Sequence, residues 1–459
     1  TKRGQEGKPK VSYSGNVNFS SPTTIIDRLS SYDYARMLSD METRAGTTPR
    51  FDAEDIELFR NGTSPDTHPD MDYENLVWQT GISHKHNVTV SGGTQNVKYM
   101  VSGGYLDQQG TLKRSTRDQF NIRTNLDVKL SDKFSMHVNM SYIDNSYTRP
   151  NASTRGGMDM LILMSNKLAP WIPGKRTDGT YGHDGDGNPL AWLDANTTTT
   201  YTKRNFSGIA SLDYEIIKDL KLTVQGSFVR NHSTTKDYRK EVDYGDGFYQ
   251  GPTSNREGMS TWSRKMLDIF LNYEKTFNEA HHFKAMFGYN VERYDYWAME
   301  TKRQGFINTD LTDMNAGDAS TQTNSGYTRD LALMSYFGRL NYDYKGKYLF
   351  EVNFRSDASS RFAKDYRWGY FPSVSAGWRI TEEPWMASVK PYVQNIKLRA
   401  SWGMLGNQNA IDDEYYPSIP ALSLDKNYPF AGELHQGITV VDHKVESITW
   451  EKSTTYGIG

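Results

Sequence analysis

The sequence predicts an all-β protein, an antiparallel up-and-down β-barrel of the transmembrane kind. Three observations carry this expectation. Period-2 alternation of apolar and polar residues recurs from one end of the 459 residues to the other. The connections between these segments alternate between short and long. The second face of the segments carries polar and charged groups that a dry core would reject, because buried unpaired charge is costly.

Composition fits a barrel. Hydrophobic residues make up 36%, aromatics 13%, with 30 Tyr and 38 Gly. Such a chain is short of aliphatic core material and rich in amphipathic rings. There is no 18-residue apolar run, so no membrane-spanning helix is expected, whereas a barrel strand needs only about 9–11 residues, half of them polar. The 53 basic and 55 acidic residues leave a net charge of −2; no basic stripe points to nucleic acid. Cysteine is absent, which removes disulfides and thiolate metal sites.

Fourteen alternating segments are expected as strands. They are 10–19, 84–92, 97–105, 118–130, 134–143, 204–216, 220–230, 263–277, 283–297, 330–344, 347–356, 370–380, 396–404 and 448–459. In 370–380 one face holds Tyr370, Pro372, Val374, Ala376, Trp378 and Ile380, and the other Phe371, Ser373, Ser375, Gly377 and Arg379. In 118–130 the polar set is Asn121, Arg123, Asn125, Asp127 and Lys129; in 134–143 it is Ser135, His137, Asn139 and Ser141. A hydrated lumen accepts these groups while the Val, Leu, Phe, Met and Tyr face suits lipid. Tyr142, Tyr147, Tyr294, Tyr296, Trp297, Tyr342, Tyr344, Tyr370 and Trp402 lie near segment ends, where aromatic girdles belong.

Short turns are expected at 92–96, 130–133, 217–220, 277–282 and 343–347, with 381–395 longer and partly helical. Long loops are expected at 20–83, 106–117, 144–203, 231–262, 298–329, 357–369 and 405–447. Short periplasmic turns and long extracellular loops mark an outer-membrane barrel, and a soluble Greek-key sandwich lacks that asymmetry. Within the loops, 33–46 and 53–62 read as short helices, each closed by Gly. The apolar run 158–173 reads as a packed loop helix ending at Pro170, since it is too short to span.

Several stretches are similar to the barrel of the SusC/RagA family of TonB-dependent outer-membrane transporters of Bacteroidota. TKRGQEGKPKVSYSGNVNF (1–19) resembles the junction of plug and first strand, HNVTVSGGTQNVKYMVSGGYLDQQG (86–110) the first periplasmic hairpin, and FNIRTNLDVKLSDKF (120–134) the segment directly after that hairpin. YLFEVNFRSDASSRFAKDYRWGYFPSVSAGWRITEEPWM (348–386) and IKLRASWGMLGNQ (396–408) are the most specific; TWEKSTTYGIG (449–459) resembles a later strand. The resemblance implies residues 1–9 as the end of a plug domain and 10–459 as part of a barrel of about 22 strands. It implies that a plug, a TonB box, any carboxypeptidase-like N-terminal domain and roughly eight further strands lie outside this sequence. It also implies import of large nutrients, oligosaccharides foremost and peptides second, without covalent chemistry or a cofactor, with TonB, a SusD-like surface lipoprotein and outer-membrane lipid as partners. A passive porin or adhesin barrel, and a soluble all-β glycan-binding protein, are the competing readings.

Site candidates are few. Trp171, Tyr181, Trp192, Tyr244, Phe248 and Tyr249 sit in the long loops, where electron-rich rings could stack on the C–H faces of sugars; packing within the loops is the competing role. Asp184, Asp186 and Asn188 have the i, i+2, i+4 spacing that opens a calcium loop. The Gly and Glu that complete one are missing, which favours an ordinary polar turn. No catalytic motif is present: neither HExxH nor G-x-S-x-G occurs.

Overall fold

The computed structural model describes residues 3–152, 156–409, 415–441 and 444–459. Fourteen strands form one sheet in which each pairs antiparallel with its sequence neighbour. They are β1 (Gly7–Ser20), β2 (Gly81–Gly93), β3 (Val97–Gln109), β4 (Thr116–Lys129), β5 (Phe134–Pro150), β6 (Thr198–Ile217), β7 (Leu220–Arg239), β8 (Ser254–Phe277), β9 (His281–Gln304), β10 (Asp318–Tyr344), β11 (Tyr348–Ser359), β12 (Trp368–Arg379), β13 (Lys397–Asn407) and β14 (Glu451–Ile458). β1 and β14 are free edges, so the sheet is a barrel wall that does not close on itself among the described residues.

Register shows why this wall has two chemistries. Cross-strand partners point to the same face. From β4 to β10 one row of partners reads Val128, Met136, Leu212, Val224, Ile269, Tyr289, Tyr336. The adjacent row reads Asp127, His137, Ser211, Gln225, Asp268, Asn290, Ser335. The first row is wholly apolar or aromatic and suits lipid. The second is wholly polar and knits to itself: His137 Nδ1 lies 2.6 Å from Asp127, and Asn290 Nδ2 donates to Asp268 over 2.6 Å. A one-residue slip in any strand would place its polar set in lipid, so the pattern itself fixes the register. On the outward face Phe120 and Val374 are 48% and 43% exposed rather than buried in a protein core.

Aromatic residues bound the apolar band at both ends. Near the short turns Phe134 stacks on Tyr214, and Tyr344, Tyr348 and Trp378 form a continuous row. At the other margin Tyr289, Tyr336 and Trp368 are neighbours, as are Phe354 and Tyr370. From Tyr336 to Tyr344 the strand runs about 26 Å, which a barrel tilt reduces to roughly 20 Å, close to the ~25 Å band of such walls. Three members of the expected girdle lie elsewhere. Tyr147, Tyr294 and Tyr296 pair with Tyr201, Leu331 and Arg329 on the inward face, because their parity matches the polar rather than the apolar row.

The strands outrun the alternation that predicts them. β8 and β9 have 24 residues each and β10 has 27. Their upper halves carry charge on both faces: Arg293 and Lys265, both outward, pair with Asp295 at 2.8 and 3.6 Å. Beyond the lipid neither face must be apolar, so the period fades while the hydrogen-bond ladder continues. The loops at 240–253 and 305–317 are correspondingly shorter than expected.

The short turns need special backbone. Between β10 and β11, Lys345 and Gly346 take φ of 53° and 69°, and Asn278 and Glu279 likewise adopt positive φ between β8 and β9, the handedness a tight hairpin requires. The segment 381–395 contains single 3-10 turns at Ile380–Glu382 and Pro384–Met386 rather than a helix. Inside the wall Phe371 departs from its polar neighbours by packing on Phe362 and Trp450. Gly406 makes room for it, since a Cβ there would lie 2.0 Å from the Phe371 ring. The chain reaches β1 across the inner face: Arg3 donates to Asp127, and Gly4 presses against the Tyr99 backbone, where a Cβ would meet the carbonyl oxygen at 2.4 Å. Residues 1–2 of the expected plug junction lie outside the described residues.

Candidate functional site

The long loops build a packed platform over one side of the mouth. Among the described residues five helices lie within them: α1 (Ser31–Arg44), α2 (Ala53–Asn61), α3 (Tyr73–Val77), α4 (Met158–Lys167) and α5 (Pro189–Ala195). Asp52 and Asp55 form a reciprocal capping box on α2, and Gly62 ends it with φ of 62°. α3, α4 and α5 share an apolar core of Tyr73, Val77, Leu161, Met164, Leu168, Trp192, Leu193 and Tyr244. The small hairpin Val242–Asp243 with Tyr249–Gln250 closes one side. A second loop hairpin, Leu422–Phe430 with Glu433–Val440, lies within the long loop expected at 405–447.

A buried polar network holds this core. The Asn188 side chain accepts from Leu190 N–H at 2.9 Å, capping α5, while its amide donates to Gly182 O at 2.9 Å and lies 3.1–3.2 Å from Pro173 O and Tyr73 Oη. The Tyr73 hydroxyl in turn donates to Ile172 O at 2.9 Å. Gln250 Oε1 accepts from the Trp192 indole at 2.8 Å and the Tyr244 hydroxyl at 3.0 Å. At the foot of the platform the buried Asp237 carboxylate of β7 accepts from Asn151 and Thr199 at 3.0 Å and pairs with Arg239 and Arg256 at 3.2 Å. That junction ties loop to wall.

The six expected ring positions separate into two groups. Trp192 and Tyr244 are 1% and 0% exposed; they are core, and no ligand can reach them. Their apolar bodies fill the space between α5 and the hairpin, and their polar tips are spent on Gln250. Trp171 is half-buried between Tyr34 and Phe51, joining the first long loop to the third. Tyr181 is half-buried and donates to Asp194 at 2.7 Å; desolvation and then that carboxylate push its hydroxyl well above the usual range. Phe248 stacks on His183 at 4.1 Å. Tyr249 is the most open, donates to Glu241 at 2.7 Å, and is pushed up to about 12 by burial and that carboxylate. Trp192, Tyr244 and Phe248 come together around Gln250 and His183; Trp171 lies apart.

The acidic trio forms no cation loop. Asp184 and Asp186 both pair with Lys167, at 3.1 Å in the first case, and the Asp186 and then Asp184 carboxylates raise the Lys167 ammonium above its ordinary value. Asn188 faces inward as the helix cap. Among the described residues no group of three His, Cys, Asp or Glu is placed to hold a metal. His183 receives Gly185 N–H on Nδ1 at 3.0 Å and faces Asp246 through Nε2 at 2.8 Å, so the ring is the Nε2–H tautomer. The Phe248 amide and then His183 hold the Asp246 carboxyl below its usual range.

The arrangement consists of a rigid outer platform, a lipid-type outer surface and a continuous polar inner wall, the parts of a passage for polar solutes. This is the class of outer-membrane β-barrel receptor and transporter proteins. Residues 163–459 match the family described as TonB dependent receptor-like, beta-barrel, and the chain belongs to that family. It is 29% identical over its full length to the TonB-dependent receptor SusC of Bacteroides thetaiotaomicron, covering 46% of that protein. It is also 29% identical to the TonB-dependent receptor P26 of Formosa agariphila over 86% of this chain and 39% of that one. The chain therefore spans somewhat less than half of these relatives. Its fold superposes over its whole length on the RagAB peptide importer in its open-open and closed-closed states, with TM-scores of 0.81 and 0.79 at 17% identity and 53% of that chain covered.

The inward parity of Tyr294 and Tyr296 is present in the sequence: they fall in step with Asn290 and Glu292, not with Val291. The helices α3 and α5 left a weaker trace in Asp72 and Asn188, each a side-chain cap.

Proposed function

We propose that this chain is the greater part of the wall of a TonB-driven importer in the outer membrane of a member of the Bacteroidota, taking up oligosaccharides too large for diffusive pores. The observation that carries the reading is the unbroken polar row from Asp127 to Ser335 behind a lipid-type outer face. The wall offers hydroxyls, amides and paired charges along the route of a hydrated solute. The charges are mostly matched, as in Arg355 with Asp357 at 2.8 Å, so the surface is wet without being a strong trap. A SusD-like lipoprotein seats on the loop platform, and TonB, acting through a plug held against the inner wall, opens the route. The cargo passes without a covalent change. Residues 1–9 carry the end of that plug into the wall, with β1 already begun at Gly7; Arg3 on Asp127 accords with a chain emerging from inside. Tyr249, Phe248, Tyr181 and Trp171 remain candidate contacts on the platform.

The test is uptake of a fluorescent oligosaccharide by cells carrying the whole protein. Deleting TonB or the partner lipoprotein should abolish high-affinity uptake. Undiminished uptake in both strains points instead to a passive pore. A peptide cargo is the second reading, favoured by the full-length fold match to RagAB, a peptide importer.

A further inference from the structure

Above the outer aromatic margin the inner wall changes character. The inward residues of β8, β9 and β10 there include Trp262, Tyr294, Tyr296, Tyr327 and Arg329, established by the pairs Trp262–Tyr296, Tyr296–Arg329 and Ala298–Tyr327. Tyr415 from the last long loop joins them. The rings form one run. Trp262 lies 6.0 Å from Tyr294, Tyr294 lies 6.4 Å from Tyr415, and Tyr296 lies 5.6 Å from Tyr327. The Arg329 guanidinium bridges the gap, 4.7 Å from the Tyr327 ring centre and 5.2 Å from that of Tyr415. Beside Tyr296 and Tyr327 is an open cavity of about 310 Å³ floored by Gly258, Ser260 and Ala298, with Met259, Met299 and Glu300 also in its wall; Arg329 stands next to it on the Tyr327 ring.

We propose that this cleft is a subsite for a carboxylate-bearing oligosaccharide. The inference rests on the importer reading and gives its cargo a chemical class. Tyrosine rings over a floor of glycine, alanine and serine leave a flat, hydroxyl-lined slot of a size suited to small ligands. A peptide would need apolar side-chain pockets or a free strand edge; the floor here is mostly small residues, and β8 and β9 are paired on both sides, while β10 meets β11 only from Leu333 to Tyr344 and leaves its edge beside Tyr327 open, so hexaglutamate is the probe that decides against a peptide. The carboxylate preference comes from Arg329. It is half-buried, and no carboxylate or hydrogen-bond acceptor engages it among the described residues. The nearby acids are already committed: Glu292 pairs with Arg264 at 3.0 Å and Glu300 with Arg256 at 3.6 Å. A stacked guanidinium keeps its in-plane N–H groups for a planar, bidentate acceptor. Asp412, Asp413 and Glu414 lie outside the described residues.

The test is isothermal titration of the whole protein in detergent with five probes: hexamers of galacturonate and mannuronate, the neutral cellohexaose and xylohexaose, and hexaglutamate. A uronate hexamer should bind more tightly than either neutral sugar and than hexaglutamate. R329Q should weaken uronate binding at least tenfold and leave any neutral-sugar binding within twofold; R329K should recover part of the loss. Y327A should weaken every sugar at least tenfold. Heat-modifiable gel migration of each variant separates lost binding from a lost fold. Binding of neutral sugars or hexaglutamate alone, no binding of any probe, or uronate binding indifferent to Arg329 and Tyr327 overturns the subsite. Because TonB dependence of uptake is measured separately, the subsite can fail while the importer stands, and the reverse.

Discussion

Replacing Asn188 by Ala should loosen the loop platform without unfolding the wall. The substitution removes the α5 cap, a loss of about 1 kcal/mol. It also leaves the buried Gly182 carbonyl and the Tyr73 hydroxyl without their amide donor, at about 1–3 kcal/mol for a buried group left unpaired. Neither group can turn to water, since Asn188 is completely buried and Tyr73 is 2% exposed. The sum is roughly 2–4 kcal/mol, which is about 30- to 1,000-fold in the local opening equilibrium at 1.4 kcal/mol per factor of ten. Hydrogen exchange of the whole protein in detergent reads this directly: amides of 172–195 and 242–250 should exchange at least 30-fold faster, while those of β4 to β10 stay unchanged. N188D should be worse than N188A, because it sets a carboxylate against the carbonyls of Pro173 and Gly182. Equal exchange in wild type and both variants would refute the keystone role, and uniform acceleration through the strands would refute a platform separable from the wall.

Three further outcomes are expected. Val374→Arg should cost about 2–4 kcal/mol of insertion free energy into vesicles, as a charge placed on the lipid side, while the neighbouring Ser375→Arg on the inward side should insert normally; equal behaviour contradicts the assigned faces. Asp246 has a depressed folded-state pKa, so its contribution is present above the ordinary value of 3.8 and fades as pH falls through the lower folded value. Proteolysis at 243–250 should therefore rise only below about pH 4, with D246N removing that dependence. Lys167 has a raised value, so its ties to Asp184 and Asp186 hold through neutral pH and weaken only above its ordinary 10.5. K167M should leave the mobility of 183–188, read by exchange, insensitive to alkaline pH.

Most of the wall could be read from residues, because a strand with lipid on one side and water on the other has no freedom in its alternation. Ser373 to Arg379 and Asn121 to Lys129 placed themselves. The parts that escaped lie where that constraint ends. The tops of β8 to β10 stand in water on both faces, so Ser254–Trp262 and Asp318–Arg329 show no apolar row to count. Aromatic residues are ambiguous for the same reason: Tyr suits a girdle, a lumen and a core, and only parity against Asn290 and Glu292 places Tyr294. In the loops no period exists at all. Trp192 and Tyr244 look alike to Tyr249 in sequence; burial depends on long-range contacts between 73, 164, 192 and 244, which local pattern does not encode. Asp184 and Asp186 found Lys167, a partner set by tertiary packing.

The extended hairpins have a mechanical consequence. At about 3.3 Å per residue and a tilt near 40°, the 24 residues of β8 and β9 rise roughly 60 Å, more than twice the thickness of the apolar band. The tops of these strands therefore stand well clear of the bilayer surface, and on the proposed importer reading a solute would descend a long hydrated shaft before it reaches membrane depth. β8 and β9 are bonded along both edges over this height, while β10 meets β11 only from Leu333 to Tyr344; on the same reading, movement that admits cargo would come from the connections at the rim, from that open edge or from something lodged within the shaft.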